Sequence, residues 1–534
     1  MKRAIKAIAL LAALLLPIVG TGQLDRVNII EKAPEKEADR MKKRDAPDGP
    51  LPETGEKRQV AVPAKGPLEL SVEDAVMLAL ENNRDLQVRR LSPVIAGTFE
   101  KIERGAYDPR LFLEFSYAEE RITETARSTG EQFSVEGERR SAAAGLRQDL
   151  PTGAEVEISV EQERTASDRT PTQESARAGI SITQSLLRGF GPAVNMAAVR
   201  QAELEGEASV HELEGFVEAL IAQTETAYWN YVLAGKEIEI FERSLEVAKK
   251  QRDEVELRIE VGILGEIEAA AARAEVARRE QALIDARSLL ERRRLILLRL
   301  VNPWPDHSFD REVTAVSGPS IEPAPIEDVS DRVELARKRR PDLEEARLRL
   351  EQDRLEVVVT RNGLLPRLDV FIDLGKTGYS DSFSDSFNNM DDDNYDMAVG
   401  VGLTHYIGNR SAKARDLAAI ATREQAEKAV ANLEQMASLD VRLAINEAER
   451  ARKQIAAGRI TRELQEKTLE AEEERFEVGS GTGLLVAQAQ RDLLAARINE
   501  VEAVVAYRLA LIDLYRAEGS LLERRGIVLT AGTQ

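Results

Sequence analysis

Apolar and polar residues alternate with a period of two in several stretches of this chain. Leu111, Leu113, Phe115 and Tyr117 share one face, with Glu114 and Ser116 on the other. Val156, Ile158 and Val160 alternate with Glu155, Glu157, Ser159 and Glu161, and Ile180 and Ile182 alternate with Ser181 and Thr183. Later, Leu368, Val370, Ile372 and Leu374 alternate with Asp369 and Asp373, and Val399, Val401 and Leu403 with Gly400, Gly402 and Thr404. Successive side chains of a strand point to opposite faces, so each stretch predicts a strand with one apolar and one polar face. An ordinary half-buried sheet has that pattern, and so does a barrel wall between lipid and water. Periodicity alone leaves the two open.

Around the strands the period changes. Ile238, Phe241, Leu245, Ala248, Val255 and Ile259 keep a three–four spacing broken only by Arg252, and Leu494, Ile498, Val501, Val505, Ile512 and Tyr515 do the same. Such spacing predicts long helices packed as left-handed coiled coils. No proline interrupts the chain from Val194 to Val261, a run of about 100 Å at 1.5 Å per helical residue. Val217, Leu220, Ile221 and Leu233 fall outside a single stripe. A helix contacted on two sides is expected in a closed ring of helices.

The chain also contains itself twice. A shift of 257 residues puts Val72, Asp74, Val76, Leu78 and Ala79 on Val329, Asp331, Val333, Leu335 and Ala336, and Pro109-Arg110-Leu111 on Pro366-Arg367-Leu368. A shift of 217 aligns Arg258, Glu260, Val261 and Gly262 with Arg475, Glu477, Val478 and Gly479. A period this long is a duplicated domain, far beyond a solenoid repeat. Each half opens with a predicted helix, Ser71 to about Arg104 and Asp328 to about Arg361, the first started by a capping-box-like Ser71 and Asp74. The fall in shift from 257 to 217 places 40 extra residues in the first half. Residues 140–165, with a turn at Pro151-Thr152-Gly153, read as an extra β-hairpin there.

Lys2, Arg3 and Lys6 precede an apolar run from Ala7 to Leu16, and Gly20 and Gly22 follow. This is the pattern of a secretory signal cleaved near Gly22; ten apolar residues are half of the roughly 20 that span a bilayer. The expected organisation is a signal peptide over 1–22, a disordered linker over 23–66, a first repeat over 67–301, an inter-repeat linker over 302–325, a second repeat over 326–518 and a C-terminal tail over 519–534. Prolines 34, 47, 50, 52 and 63 mark the first linker.

Charge and composition narrow the function. Net charge is −20, the wrong sign for a nucleic-acid partner. Cysteine is absent, which removes disulfides, thiolate nucleophiles and cysteine-ligated metal. His211, His307 and His405 lie in different elements without ligand spacing. Asp391-Asp392-Asp393 suits a solvated loop better than a calcium site. The Gly189-Phe-Gly191 and Gly479-Ser-Gly-Thr-Gly483 runs lack the Gly-Lys-Ser/Thr of a phosphate loop. The expectation is no enzyme, no metal and no cofactor.

Arg258-Ile-Glu-Val261-Gly262 and Arg475-Phe-Glu-Val478-Gly479 each end a predicted helix at a glycine suited to the left-handed C-terminal position. Helices resume antiparallel from Glu266 and Leu484, so each half makes a helical hairpin. With the signal peptide, the duplicated helix–strand–strand–helix plan and the junction Gln184-Ser-Leu-Leu-Arg-Gly-Phe-Gly-Pro192, the chain resembles the TolC-like outer-membrane factor family over roughly residues 68–518. The resemblance implies a mostly α fold with a membrane β-barrel. In it, a homotrimer takes four strands per subunit into a twelve-stranded outer-membrane barrel, which long helices continue through the periplasm. It also implies the role of exit duct for a tripartite efflux or type I secretion system, with a periplasmic adaptor, an inner-membrane pump and outer-membrane lipid as partners. By that resemblance, Arg258, Val261, Gly262, Arg475, Val478 and Gly479 lie in adaptor-contact turns. Acidic residues six and nine positions past the second glycine form a ring in well-known members; here those positions are Leu485 and Gln488. Glu268 is the first-half counterpart of Leu485, so the candidate constriction comprises Glu268, Leu485 and Gln488. The alternative is a periplasmic or surface trimeric coiled-coil scaffold without channel activity.

Overall fold

The computed structural model describes residues 30–32, 66–125, 127–301, 309–391 and 393–529. The expected signal segment and nearly all of the 23–66 lead-in lie outside these residues. In chain order the elements are β1 (Ile30–Lys32), β2 (Leu68–Leu70), α1 (Val72–Asn82), α2 (Arg84–Arg89), α3 (Leu91–Arg104), β3 (Arg110–Thr125), β4 (Gln132–Asp149), β5 (Ala154–Ser167) and β6 (Gln173–Ser185). Then come α4 (Ala197–Glu260), α5 (Glu266–Val301), β7 (Val313–Ala315), α6 (Val329–Arg339), α7 (Pro341–Gly363), β8 (Arg367–Ser380), β9 (Tyr395–Thr404), α8 (Arg410–Glu477), α9 (Gly483–Ala517) and β10 (Ile527–Leu529). No helix among the described residues is long and apolar enough to cross a membrane. The chain folds as two compact units. Among the described residues, one gathers 94–207 and 348–428; the other gathers those of 28–93, 208–347 and 429 onward.

The first unit is built on one antiparallel sheet in the order β3-β4-β5-β6-β8-β9. Its register lines up one row, Leu111, Leu146, Ile158, Ile180, Leu374 and Met397. The adjoining row is Leu113, Ala144, Val160, Ala178, Lys376 and Tyr395. Since neighbours in a ladder share a face, the alternations read separately from each strand combine into one apolar face. The extra hairpin is part of this ladder: β4 and β5 pair with each other and with both flanking strands. The four strands per chain implied by the resemblance are therefore six. The inserted residues carry their own alternation, with Ala142, Ala144 and Leu146 on β4 and Val156, Ile158 and Val160 on β5, so they extend the apolar face without interrupting it. At the β4–β5 turn Gly153 has φ +84°, and a Cβ there would lie 2.0 Å from the Gly189 carbonyl oxygen. Helix segments at the sheet's lower end are tied by reciprocal amide bonds, Gln352 Nε2 to Gln201 O at 2.9 Å and Gln201 Nε2 to Gln352 O at 3.2 Å.

The second unit holds the buried apolar core, which includes Leu68, Leu70, Tyr228, Trp229, Leu297, Tyr507 and Leu514. The expected single opening helix of each half is broken at equivalent places, Asn83 and Arg340, both in extended conformation. In the second half Pro341 excludes the helical conformation from the residue before it. The first half has Arg84 instead, and there Asn83 Oδ1 caps the next helix by accepting the Leu86 N–H at 3.0 Å. The Ser71 capping box forms, with the Asp74 N–H donating to Ser71 Oγ at 3.1 Å. The 302–325 stretch contributes β7, which pairs in parallel with β2. Tyr228 locks that pair: its hydroxyl donates to Leu70 O at 3.0 Å and accepts the Ser317 N–H at 2.9 Å.

Tyr228 is fully buried, and Tyr228→Phe leaves the part-buried Ser317 N–H without its partner, while Leu70 O keeps the Val316 N–H at 2.9 Å. Such a loss costs about 1–3 kcal/mol. Hydrogen exchange of the peptide spanning Leu68–Ser71 should accelerate accordingly, while exchange in β3–β9 stays unchanged.

Candidate functional site

Two places carry chemistry: the sheet of the first unit and the hairpin turns of the second. On the sheet's polar face, opposite the apolar rows, Arg177 forks between Asp373 and Asp396, reaching Asp396 Oδ2 at 3.0 Å from Nε. Arg147 Nε donates to Glu157 at 2.6 Å, and Arg139 pairs with Glu163 at 2.9 Å. Acidic groups predominate on β5, whose polar face bears Glu155, Glu157, Glu161 and Glu163. The 383–391 segment lies over the upper end of the apolar face at Gly378, where a Cβ would stand 2.1 Å from Ser386 O, and below it the face has no cover among the described residues. Leu113 and Phe115 are each 76% exposed at one edge of the sheet, and Val401 is 66% exposed at the other.

The turns are two copies of one backbone device. Gly262 and Gly479 have φ +76° and +78°, a region glycine enters without the Cβ penalty. The Gly262 N–H donates to Ile259 O at 2.9 Å and the Ile263 N–H to Arg258 O at 2.8 Å. In the other copy Gly479 N–H donates to Phe476 O at 3.2 Å and Ser480 N–H to Arg475 O at 2.9 Å. This paired closure satisfies the last helical carbonyls, and it explains why Arg and Gly recur four residues apart. Val261, Val478, Ile263, Ile267 and Leu484 all lie exposed around the turns. An apolar cluster left in solvent marks an interaction surface.

The sequence motifs did not reveal how the two hairpins meet. The Arg258 guanidinium stacks 4.9 Å from the Phe476 ring centroid, whereas Arg475 pairs with Glu472 in its own helix at 2.7 Å. Phe476 is thus the telling difference between Arg-Ile-Glu and Arg-Phe-Glu. Glu268 is brought to the start of α9: a Cβ on Gly483 would stand 3.1 Å from Glu268 Oε2. Leu485 is 44% exposed, and Gln488 is exposed one turn further along the same helix.

Residues 333–520 match the profile of the outer membrane efflux protein family. Over that segment the chain is similar to this family. That family consists of channels rather than enzymes, and its location is the cell outer membrane. Solved structures agree in fold. The outer-membrane channel OprN superposes with a TM-score of 0.62 at 18% identity, covering 84% of this chain and 90% of its own. CusC gives 0.62 at 17% identity, covering 89% and 99%. The outer membrane protein VceC of Vibrio cholerae gives 0.61 at 18% identity, covering 84% and 96%. No curated protein matches the sequence.

A further acidic group stands out in the second unit. Glu218 on α4 is 4% exposed and lines a cavity with Arg340, Asp342, Asp440, Glu447, Asp513 and Arg516. Burial, reinforced by Glu214, pushes its carboxyl up to about 7. The folded state therefore holds this proton more tightly than the unfolded chain. The stability from the neutral form is complete below the unfolded value and is lost as pH rises towards 7. Glu218→Gln should leave the denaturation midpoint unchanged near pH 4.5 and raise stability at pH 8 by up to about 3 kcal/mol.

Proposed function

We infer that the chain is one subunit of a homotrimeric exit duct. Its sheet enters the outer membrane with the apolar face to lipid and the polar face to the bore, and its long helices extend into the periplasm. The observation that carries this reading is the two-faced sheet in a chain similar over residues 333–520 to the outer membrane efflux protein family. In lipid every backbone polar group must find a partner, which only helices and closed barrels achieve. The duct conducts passively; energy and substrate choice come from an inner-membrane pump joined through a periplasmic adaptor. A drug-efflux or a type I secretion assembly would use the same duct.

The adaptor meets the turns of Arg258, Val261, Gly262, Arg475, Val478 and Gly479. The glycines fix the backbone there, and the exposed valines supply apolar contact. Where three copies converge, Leu485 and Gln488 form an apolar-to-neutral constriction, with Glu268 as its acidic member beside Gly483. A coiled-coil scaffold without a channel gives the uncovered apolar face no place to go.

Detergent-purified protein in a planar bilayer tests this reading, with its mass followed by light scattering. Trimers with small, mostly closed conductances are expected, and Leu485→Ser should raise the closed-state conductance severalfold. A water-soluble protein that never inserts would leave the scaffold. Separately, Val478→Asp should weaken capture of a periplasmic adaptor at least tenfold in a binding assay without altering bilayer conductance.

A further inference from the structure

The apolar face of the sheet is not level with the strands. Along the row through Leu111, the lowest apolar residue of β3 is Leu111 and that of β4 is Leu146. On β5 and β6 the belt reaches two residues lower, to Val156 and Ile182, which pair with each other. On β8 and β9 it reaches six residues lower, to Leu368 and Leu403, also a pair. The upper limit slides the same way, from Tyr117 on β3 to Tyr395 on β9, which lies four residues lower in register. A belt that must lie flat in a bilayer while slipping along its strands requires tilted strands. Six residues of slip at about 3.4 Å, over the five strand spacings of about 4.7 Å from β3 to β9, give a tilt of about 41°. Transmembrane barrels tilt by 35–45°.

The inserted strands sit within this slope and share its progression. A hairpin outside the wall would have no reason to keep the belt's height, nor to carry Val156, Ile158 and Val160 in register with Ala178, Ile180 and Ile182. The two edges fit one another as well. Leu111 on β3 and Val399 on β9 are 71% and 63% exposed, while Ile158, Ile180 and Ile372 inside the sheet are 37–44% exposed. β3 and β9 end the ladder with unpaired backbone edges, and only a further strand can pair them inside lipid. Their alternating strand directions make β9 of one copy antiparallel to β3 of the next.

We propose that β4 and β5 are wall strands. On the trimeric reading above, three copies then close an eighteen-stranded barrel, with Leu111 of one copy opposite Leu403 of its neighbour. At the derived tilt such a barrel is about 36 Å across its backbone. Barrels of sixteen to eighteen strands leave an open aqueous channel. The outer-membrane segment is thus a wide acid-lined mouth that does not sieve cargo, and any size selection lies at the hairpin turns.

The joint register is testable because the chain has no cysteine. In the detergent-purified trimer, Leu113→Cys with Val401→Cys should form intersubunit disulfides under mild oxidation, giving dimer and trimer bands on a non-reducing gel. Leu113→Cys with Tyr395→Cys, opposed only if the belt did not slip, should stay monomeric. Electron cryomicroscopy of the unmodified protein should count eighteen wall strands. Trimers with twelve wall strands, the hairpin lying off the barrel, overturn this inference and leave the duct standing. A chain that never trimerises removes the duct and this inference with it.

Discussion

Backbone hydrogen bonding is the constraint from which the rest of this structure follows. A strand carried into lipid has no water to satisfy its N–H and C=O groups, so each must be paired within the protein. One ladder from β3 to β9 pairs strands from both halves of the duplicated chain and leaves open only the outer edges of β3 and β9. The side chains are then free to divide by face. Most of the Leu, Ile and Val side chains occupy one surface, while Arg177, Asp373 and Asp396 occupy the other together with Phe112 and Phe371. The helices are highly charged, and none among the described residues is long and apolar enough to cross a membrane.

The second unit meets the opposite demand, a water-excluded core in a chain with few aromatics. Its buried charges come in partnered sets. Arg525 forks onto Glu225 at 2.6 and 2.7 Å, and Arg332 reaches the fully buried Glu518 at 2.5 Å. Pairs of this kind add little net stability, but losing one partner strands a charge. They join segments distant in sequence: 225 in the first half with 525 near the C-terminus, and 332 with 518 at the two ends of the second half. Glu218 has no such cationic partner within bonding distance among the described residues, and its burial raises its proton affinity.

The strands that sequence reveals best carry large apolar residues on one face: β3 up to Tyr117, β5 near Ile158, and both β8 and β9. β4 was legible only as part of a hairpin over 140–165, because Ala142 and Ala144 give a weak alternation and its upper half is charged. For the same reason β3 runs on to Thr125, past the last apolar side chain. The turn glycines were legible since a left-handed residue leaves a chemical trace at its own position. Contacts between hairpins leave no such trace: neither Arg258 over Phe476 nor Glu268 against Gly483 follows from any local period. The helix break at Asn83 was hidden because a capping side chain does there what proline does at 341.

The central claim is the assignment of one face to lipid and the other to water. Single cysteines placed in turn from Leu111 to Tyr117, in protein reconstituted into lipid vesicles, can be challenged with a membrane-impermeant maleimide. The account predicts alternation, with positions 112, 114 and 116 labelled and 111, 113, 115 and 117 protected. Uniform labelling along the strand, or the reverse alternation, would contradict it.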